Sequence, residues 1–161
     1  VTGTGVALPV TITPSGLAEA QYVVSDPAAT GTQTFLAQQV LVSRQGRPED
    51  QRLRAIVTAP STGRDYGRLR ALLPPDQNFD GPSSAAADLQ SSPEISDKET
   101  NLGRGGSEVI SGEVQVVRVG GALLYLRPLY VQGGNTQKPL LRFVEVRYRG
   151  KTGFSPTRSL I

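Results

Sequence analysis

The chain contains no cysteine, no histidine, no methionine and no tryptophan. Without histidine or cysteine it can build no Ser-His-Asp or Cys-His nucleophilic centre, no imidazole general base and no thiolate zinc site. A serine–lysine pairing would have only Lys98, Lys138 and Lys151 to draw on. The absence of thiols also leaves the redox compartment unread. Long hydrophobic runs are missing as well. The longest apolar stretch, Val119 to Leu126, includes two glycines and falls far short of the roughly 20 residues that a membrane-spanning helix needs. No signal-peptide pattern opens the chain, and its first residue is Val, so it is expected to be a processed product or a piece of something larger.

What is present fits one water-soluble globular domain over residues 1–161, with residues 1–45 the least defined by pattern. Apolar residues make up 37%, and the 18 glycines lift this to the usual globular level. With 12 prolines added, many turns are expected. The net charge of +3 hides a segregation. Arg44–Arg70 holds seven arginines against three acids, Asp76–Glu113 holds eight acids against two bases, and Lys138–Arg158 holds six bases against Glu145. The plain reading is a mixed, solvated surface; the sharper one is a basic face for an anionic partner.

The hydrophobic pattern reads mostly as strands. Ala7–Thr13 and Gln21–Ser25 are short extended pieces, and Pro9 confines the first to a sheet edge. Thr34–Ser43 suits a strand or a short helix; Leu53–Ala59 favours extension. Turns are expected at Arg47–Asp50 and Ser61–Asp65. A strand follows at Tyr66–Leu73, with Leu69, Ala71 and Leu73 on one face. The small residues of Ser83–Gln90 predict a helical turn. A second helix is predicted to start with Ser92 as N-cap, Pro93 first and Glu94 beside the positive helix end, and to stop at Gly103.

The last third predicts a three-strand antiparallel meander. Glu108–Val119 turns through Gly120-Gly121 into Ala122–Val131, because two glycines supply the positive φ of a primed hairpin turn. That pairing sets Val119 opposite Ala122, Val117 opposite Leu124 and Gln115 opposite Leu126, with Val114, Val116, Arg118, Leu123, Tyr125 and Arg127 on the other face. A Gly133-Gly134-Asn135 loop leads to Leu140–Arg149, where Val144, Val146 and Tyr148 share one face and Glu145, Arg147 and Arg149 the other. The fold class expected is therefore α+β: mainly antiparallel sheet, with one or two short helices between residues 83 and 102.

Several segments carry a family resemblance in their order and spacing: Tyr66-Gly67-Arg68-Leu69, Gly81-Pro82, Ser92-Pro93-Glu94-Ile95-Ser96, Gly106–Gly112 and the strand Leu123-Leu124-Tyr125-Leu126-Arg127-Pro128-Leu129-Tyr130-Val131. Over roughly Leu53–Ile161 the chain resembles the extracytoplasmic C-terminal region of an uncharacterised family of large multi-pass membrane proteins of actinobacteria and cyanobacteria. Two positions depart from that pattern: Ser92 stands where the family often has Asp, and Arg127 where it often has Glu or Gln. The resemblance implies a domain of an integral membrane protein exposed outside the cytoplasm, and no reaction.

The candidate chemistry is sparse. Gly103–Ser107 lacks the Gly-Lys-Ser/Thr ending of a phosphate loop and reads as a helix-to-strand connection. Asp76, Asp80, Asp88, Glu94, Asp97 and Glu99 are dense enough to offer a carboxylate pair for glycan chemistry, but read first as solvated acids. Their spacing matches no calcium loop, so no metal or cofactor is expected. Nucleic-acid binding is not expected either. Tyr125 and Tyr130 are expected to pack on the sheet, and Arg118 or Arg127 to form a structural salt bridge, with Glu113 as one possible partner. The residues singled out as an anion-binding surface are Arg118, Tyr125, Arg127, Arg147 and Arg149.

The leading expectation is a non-catalytic extracytoplasmic module that contacts its parent membrane region or other envelope proteins. The alternatives are a binding module for an anionic envelope lipid or glycan, and a carboxylate-dependent glycan-acting enzyme.

Overall fold

A computed structural model describes residues 21–25, 33–43, 51–74, 78–119, 122–134 and 138–156. The first sheet is laid down in sequence order by β1 (Gln21–Ser25), β2 (Thr34–Val42), β3 (Leu53–Pro60) and β4 (Arg70–Leu72), each antiparallel to the next. Helices α1 (Pro82–Ser91) and α2 (Pro93–Gly103) follow. The second sheet contains β5 (Glu108–Ser111), β6 (Gln115–Val119), β7 (Ala122–Gln132), β8 (Leu140–Tyr148) and β9 (Lys151–Pro156). This is an α+β fold built on antiparallel sheet.

The strand period decides what is buried. On β2, Leu36 and Gln38 face inward, and on β7, Leu123, Tyr125, Arg127 and Leu129 do so. The core gathers Leu53 and Ile56 from the first sheet, Ala85, Leu89 and Ile95 from the helices, Val114 from the link between β5 and β6, and Val116, Leu123 and Tyr125 from the second sheet. The buried Gln38 adds a polar tie: its side-chain amide donates to the carbonyl of Val116 across the sheets at 2.7 Å. That bond satisfies a group whose burial would otherwise be costly.

Several expectations hold. Gln21–Ser25 is a strand, Thr34–Val42 resolves as strand rather than helix, and both helices form. The register Val119↔Ala122, Val117↔Leu124 and Gln115↔Leu126 is the predicted one. The predicted turn at Gly120-Gly121, the extended piece at Ala7–Thr13 and the turn at Arg47–Asp50 lie outside the described residues.

Others are corrected. The strand predicted at Tyr66–Leu73 shrinks to Arg70–Leu72; Leu69 and Leu73 are exposed, and Leu72 packs against the core instead. The predicted single strand Glu108–Val119 is two. Both parts pair with β7, and the break falls where Gly112 meets Pro128. Proline offers no N–H to the ladder, and a Cβ on Gly112 would lie 2.7 Å from the Pro128 ring. Ser92 occupies the N-cap position, but its side chain makes no cap bond; it accepts from the Thr152 hydroxyl of β9 at 3.0 Å. The closing meander has a fourth strand, β9, paired with β8 beyond the three that the sequence predicts.

Candidate functional site

The face of the second sheet that packs beneath the helices carries charge. On β7, Tyr125 and Arg127 alternate inward between Leu123 and Leu129; on β8, Glu145 and Arg147 face the same way. The β7–β8 register sets Arg127 directly opposite Glu145 and Tyr125 directly opposite Arg147. Directly opposed side chains are the closest cross-strand neighbours a sheet provides. Arg127 Nε donates to Glu145 Oε2, and Arg127 Nη2 lies 3.5 Å from Glu99 Oε1 of α2. Ser111 Oγ, on β5, donates to the same Glu99 oxygen at 3.1 Å. Two carboxylates thus share one buried guanidinium. Burial pushes the Glu145 carboxyl above the ordinary glutamate range; the Arg127 hydrogen bond pulls it only part of the way back, and the Glu99 charge adds to the rise.

One step along the same face, Asp80 is a hub. Its carboxylate accepts from Arg147 and from Arg52, and its backbone carbonyl accepts from the Tyr125 hydroxyl at 2.6 Å. Asp80 is placed by its neighbour Gly81, which donates its N–H to the carbonyl of Gln51 at 2.8 Å. A Cβ at Gly81 would stand 2.8 Å from that same oxygen, so the approach requires glycine. Two turns into α1, Asp88 pairs with Arg147 as well. Burial alone would lower the Arg147 pKa, but Asp80 and then Asp88 more than offset it and hold the guanidinium charged. Its carbon sits 5.6 Å from the centre of the Tyr125 ring. Burial, reinforced by the Asp80 charge, pushes the Tyr125 phenol up to about 12, with Arg147 opposing the shift.

Beside this cluster a cleft of about 580 Å³ opens, walled by Phe79, Leu123 and Tyr125, with Asp80 and Arg147 in its lining and Arg149 at its edge. Arg149 is exposed, adopts a left-handed backbone at φ +49, and lies over the Tyr148 ring at 5.3 Å.

Of the five residues singled out from sequence, Tyr125, Arg147 and Arg149 line one cleft. Arg127 lies further along the same inner face, and Arg118 sits apart, in a smaller cavity of about 180 Å³ with Gln38, Thr58 and Arg70. Arg127 does form the structural salt bridge, with Glu145 and Glu99 in place of Glu113. The partner acids were the residues missed. Asp80 and Asp88 read as solvated loop and helix acids, yet both reach Arg147. A signal existed in the period-two placement of Glu145 and Arg147 on one strand face and of Tyr125 and Arg127 on another. Among the lysines, Lys98 lies over the rings of Phe143 and Phe154, at 4.6 and 5.1 Å. Among the described residues, no three acidic side chains come close enough to hold a metal ion.

The chain is 38% identical to a UPF0182 protein of Saccharopolyspora erythraea over 109 residues, which are 66% of this chain and 11% of that protein. It is 40% identical to a UPF0182 protein of Streptomyces coelicolor over 102 residues, 63% of this chain and 10% of the relative. The figure is again 40% for one from Paenarthrobacter aurescens, over 97 residues. The chain therefore spans about a tenth of the length of the curated relatives it matches. No family model matches it, and no solved structure does. The resemblance seen in the sequence is thus to the UPF0182 proteins, an uncharacterised family.

Proposed function

From this likeness to the UPF0182 proteins, we propose that the chain is a non-catalytic extracytoplasmic module of an integral membrane protein, mediating contacts with the parent's membrane region or with other envelope proteins. The observation that carries the reading is that the ionisable groups of the inner face are engaged with one another. Arg127, Arg147 and Glu145 are each more than nine-tenths buried. Both arginines are paired with carboxylates delivered by the helices and by the chain just before α1. A general acid or base must exchange its proton with a substrate. These groups instead clamp helix to sheet. Of the six acids dense enough to offer a carboxylate pair, Asp80 and Asp88 both end on the same guanidinium, and Glu99 lies beside that of Arg127. The similarity to about a tenth of far larger proteins also supports a module within a longer polypeptide.

A cysteine placed in this chain, which has none of its own, gives a topology test. Ser96 is exposed on α2, away from the loop after β3. With Ser96→Cys introduced into the gene at its own locus, a membrane-impermeant maleimide is expected to label the product, beyond any labelling of the unsubstituted protein, in intact cells as fully as in lysed ones. Labelling that appears only after lysis would overturn the extracytoplasmic assignment.

A second reading, capture of an anionic envelope lipid or glycan, is supported by the cleft. Its walls are partly apolar, and the exposed Arg149 is presented at its edge by a backbone conformation that arginine rarely adopts.

A further inference from the structure

We propose that one end of the first sheet, with the loop that follows β3, is a docking surface for an anionic lipid bilayer. By register, the outward face of this sheet carries Tyr22 and Val24 on β1, opposite Ala37 and Phe35 on β2. None of these is charged, and Tyr22, Val24 and Phe35 are all exposed, with Tyr22 and Phe35 stacked at 5.7 Å. The loop belongs to the same end. Ser61 donates its N–H to the carbonyl of Phe35 at 2.9 Å, and Gly67 donates to that of Pro60 at 3.0 Å. From this loop Tyr66 and Leu69 project at 74% and 73% exposure, the highest values among the large hydrophobic residues described. The space beside the loop is open at two points: a Cβ at Gly63 or at Gly67 would meet nothing within 4 Å.

Large apolar groups held in water at one place mark a contact surface. The charges beside them say what covers it. Arg64, Arg68 and Arg70 alternate with the apolar residues of the loop, and Asp65 is the single acid among them, shared between Arg68 at 3.7 Å and Arg70 at 2.9 Å. A loop with this composition matches a membrane interface. Tyrosine rings settle at headgroup level, leucine reaches the acyl boundary, and guanidinium groups extend to lipid phosphates while their stems stay on apolar ground. The excess of arginine selects an anionic leaflet. The surface is separate from the cleft and does not depend on which side of the membrane the module occupies, so its failure leaves the proposed function standing.

The test uses the 161-residue chain and sedimentation with vesicles. Binding is expected to phosphatidylcholine vesicles containing phosphatidylglycerol, weak or absent with phosphatidylcholine alone, and falling as salt rises. Arg64→Ala with Arg68→Ala should weaken it by about 25-fold, taking each surface arginine at about fivefold. Tyr66→Ser with Leu69→Ser should weaken it by about tenfold or more. Because the chain has no tryptophan, Tyr66→Trp supplies a reporter whose emission should shift to the blue on anionic vesicles alone. An unshifted emission, or binding that none of these substitutions changes, would overturn the proposal. So would a concentration-dependent dimer, without vesicle binding, that the same substitutions abolish; that result would assign the surface to a second copy of the chain.

Discussion

Arg127 shows what happens when a strand's two-residue period carries a charge inward. Its neighbours Tyr125 and Leu129 are core residues, so the guanidinium has to be buried with them, at 7% exposure. Glu145, opposite it on β8, is 1% exposed. Such a pair adds little net stability over apolar residues of the same shape, but removing one partner strands the other. Arg127→Met alone is expected to destabilise the fold by about 3–5 kcal/mol. Arg127→Met combined with Glu145→Leu should cost far less than the two single changes summed, because neither member of the fully buried pair is left without the other, and Glu99 keeps its partial exposure and its Ser111 hydrogen bond. Urea melts of the three variants check this; a double variant as unstable as the sum would show that Arg127 and Glu145 contribute independently, with no coupling between them. At this scale the sequence was half legible. The strand alternation put Tyr125 and Arg127 on one face correctly, but the partner acids come from α2 and from β8, and local spacing cannot report which distant element will cover a face.

At the scale of elements, β8 and β9 are joined by the two-residue turn Arg149-Gly150, with φ of +49 and +75. These are the angles of a primed hairpin turn, which matches the twist of the strands and which glycine and asparagine enter most easily. Arginine at the first position pays the steric cost of a left-handed side chain. Arg149→Asn is therefore expected to raise stability by up to about 1 kcal/mol, read as a higher melting temperature. If Arg149 serves the cleft, the same substitution should also reduce the salt-dependent capture of an anionic lipid or glycan. An unchanged melting temperature would mean that the turn carries no such strain. The contrast with the double-glycine hairpin is instructive. There the register of β6 on β7 was readable, because the paired residues are close together in the chain. The division of Glu108–Val119 into β5 and β6 was not, because its cause, Pro128, lies on the partner strand.

At the scale of the molecule, one core joins both sheets and both helices. Leu89 is fully buried among residues from all three parts. Leu89→Ala is expected to cost about 2–5 kcal/mol. Because the core is shared, the backbone and tyrosine signals should be lost in a single coincident transition. Survival of the first sheet after the second has melted would show two cores where one is inferred.

Composition, by itself, determined that no imidazole or thiol chemistry is available to this chain. Strand period, turn residues and the helix-start pattern at Ser92-Pro93-Glu94 determined an antiparallel α+β architecture, one or two short helices and the pairing of β6 with β7. These are local properties, and the residues that decide them are close together in the chain. Only the tertiary structure decided that Asp80, Asp88 and Glu99 are helix-to-sheet clamps, that Leu69 and Leu73 face water, and that Gly112 interrupts a strand. Each of these depends on which remote surface a residue meets. A charge is buried or solvated according to what packs over it, and that is settled only when the helices close onto the second sheet.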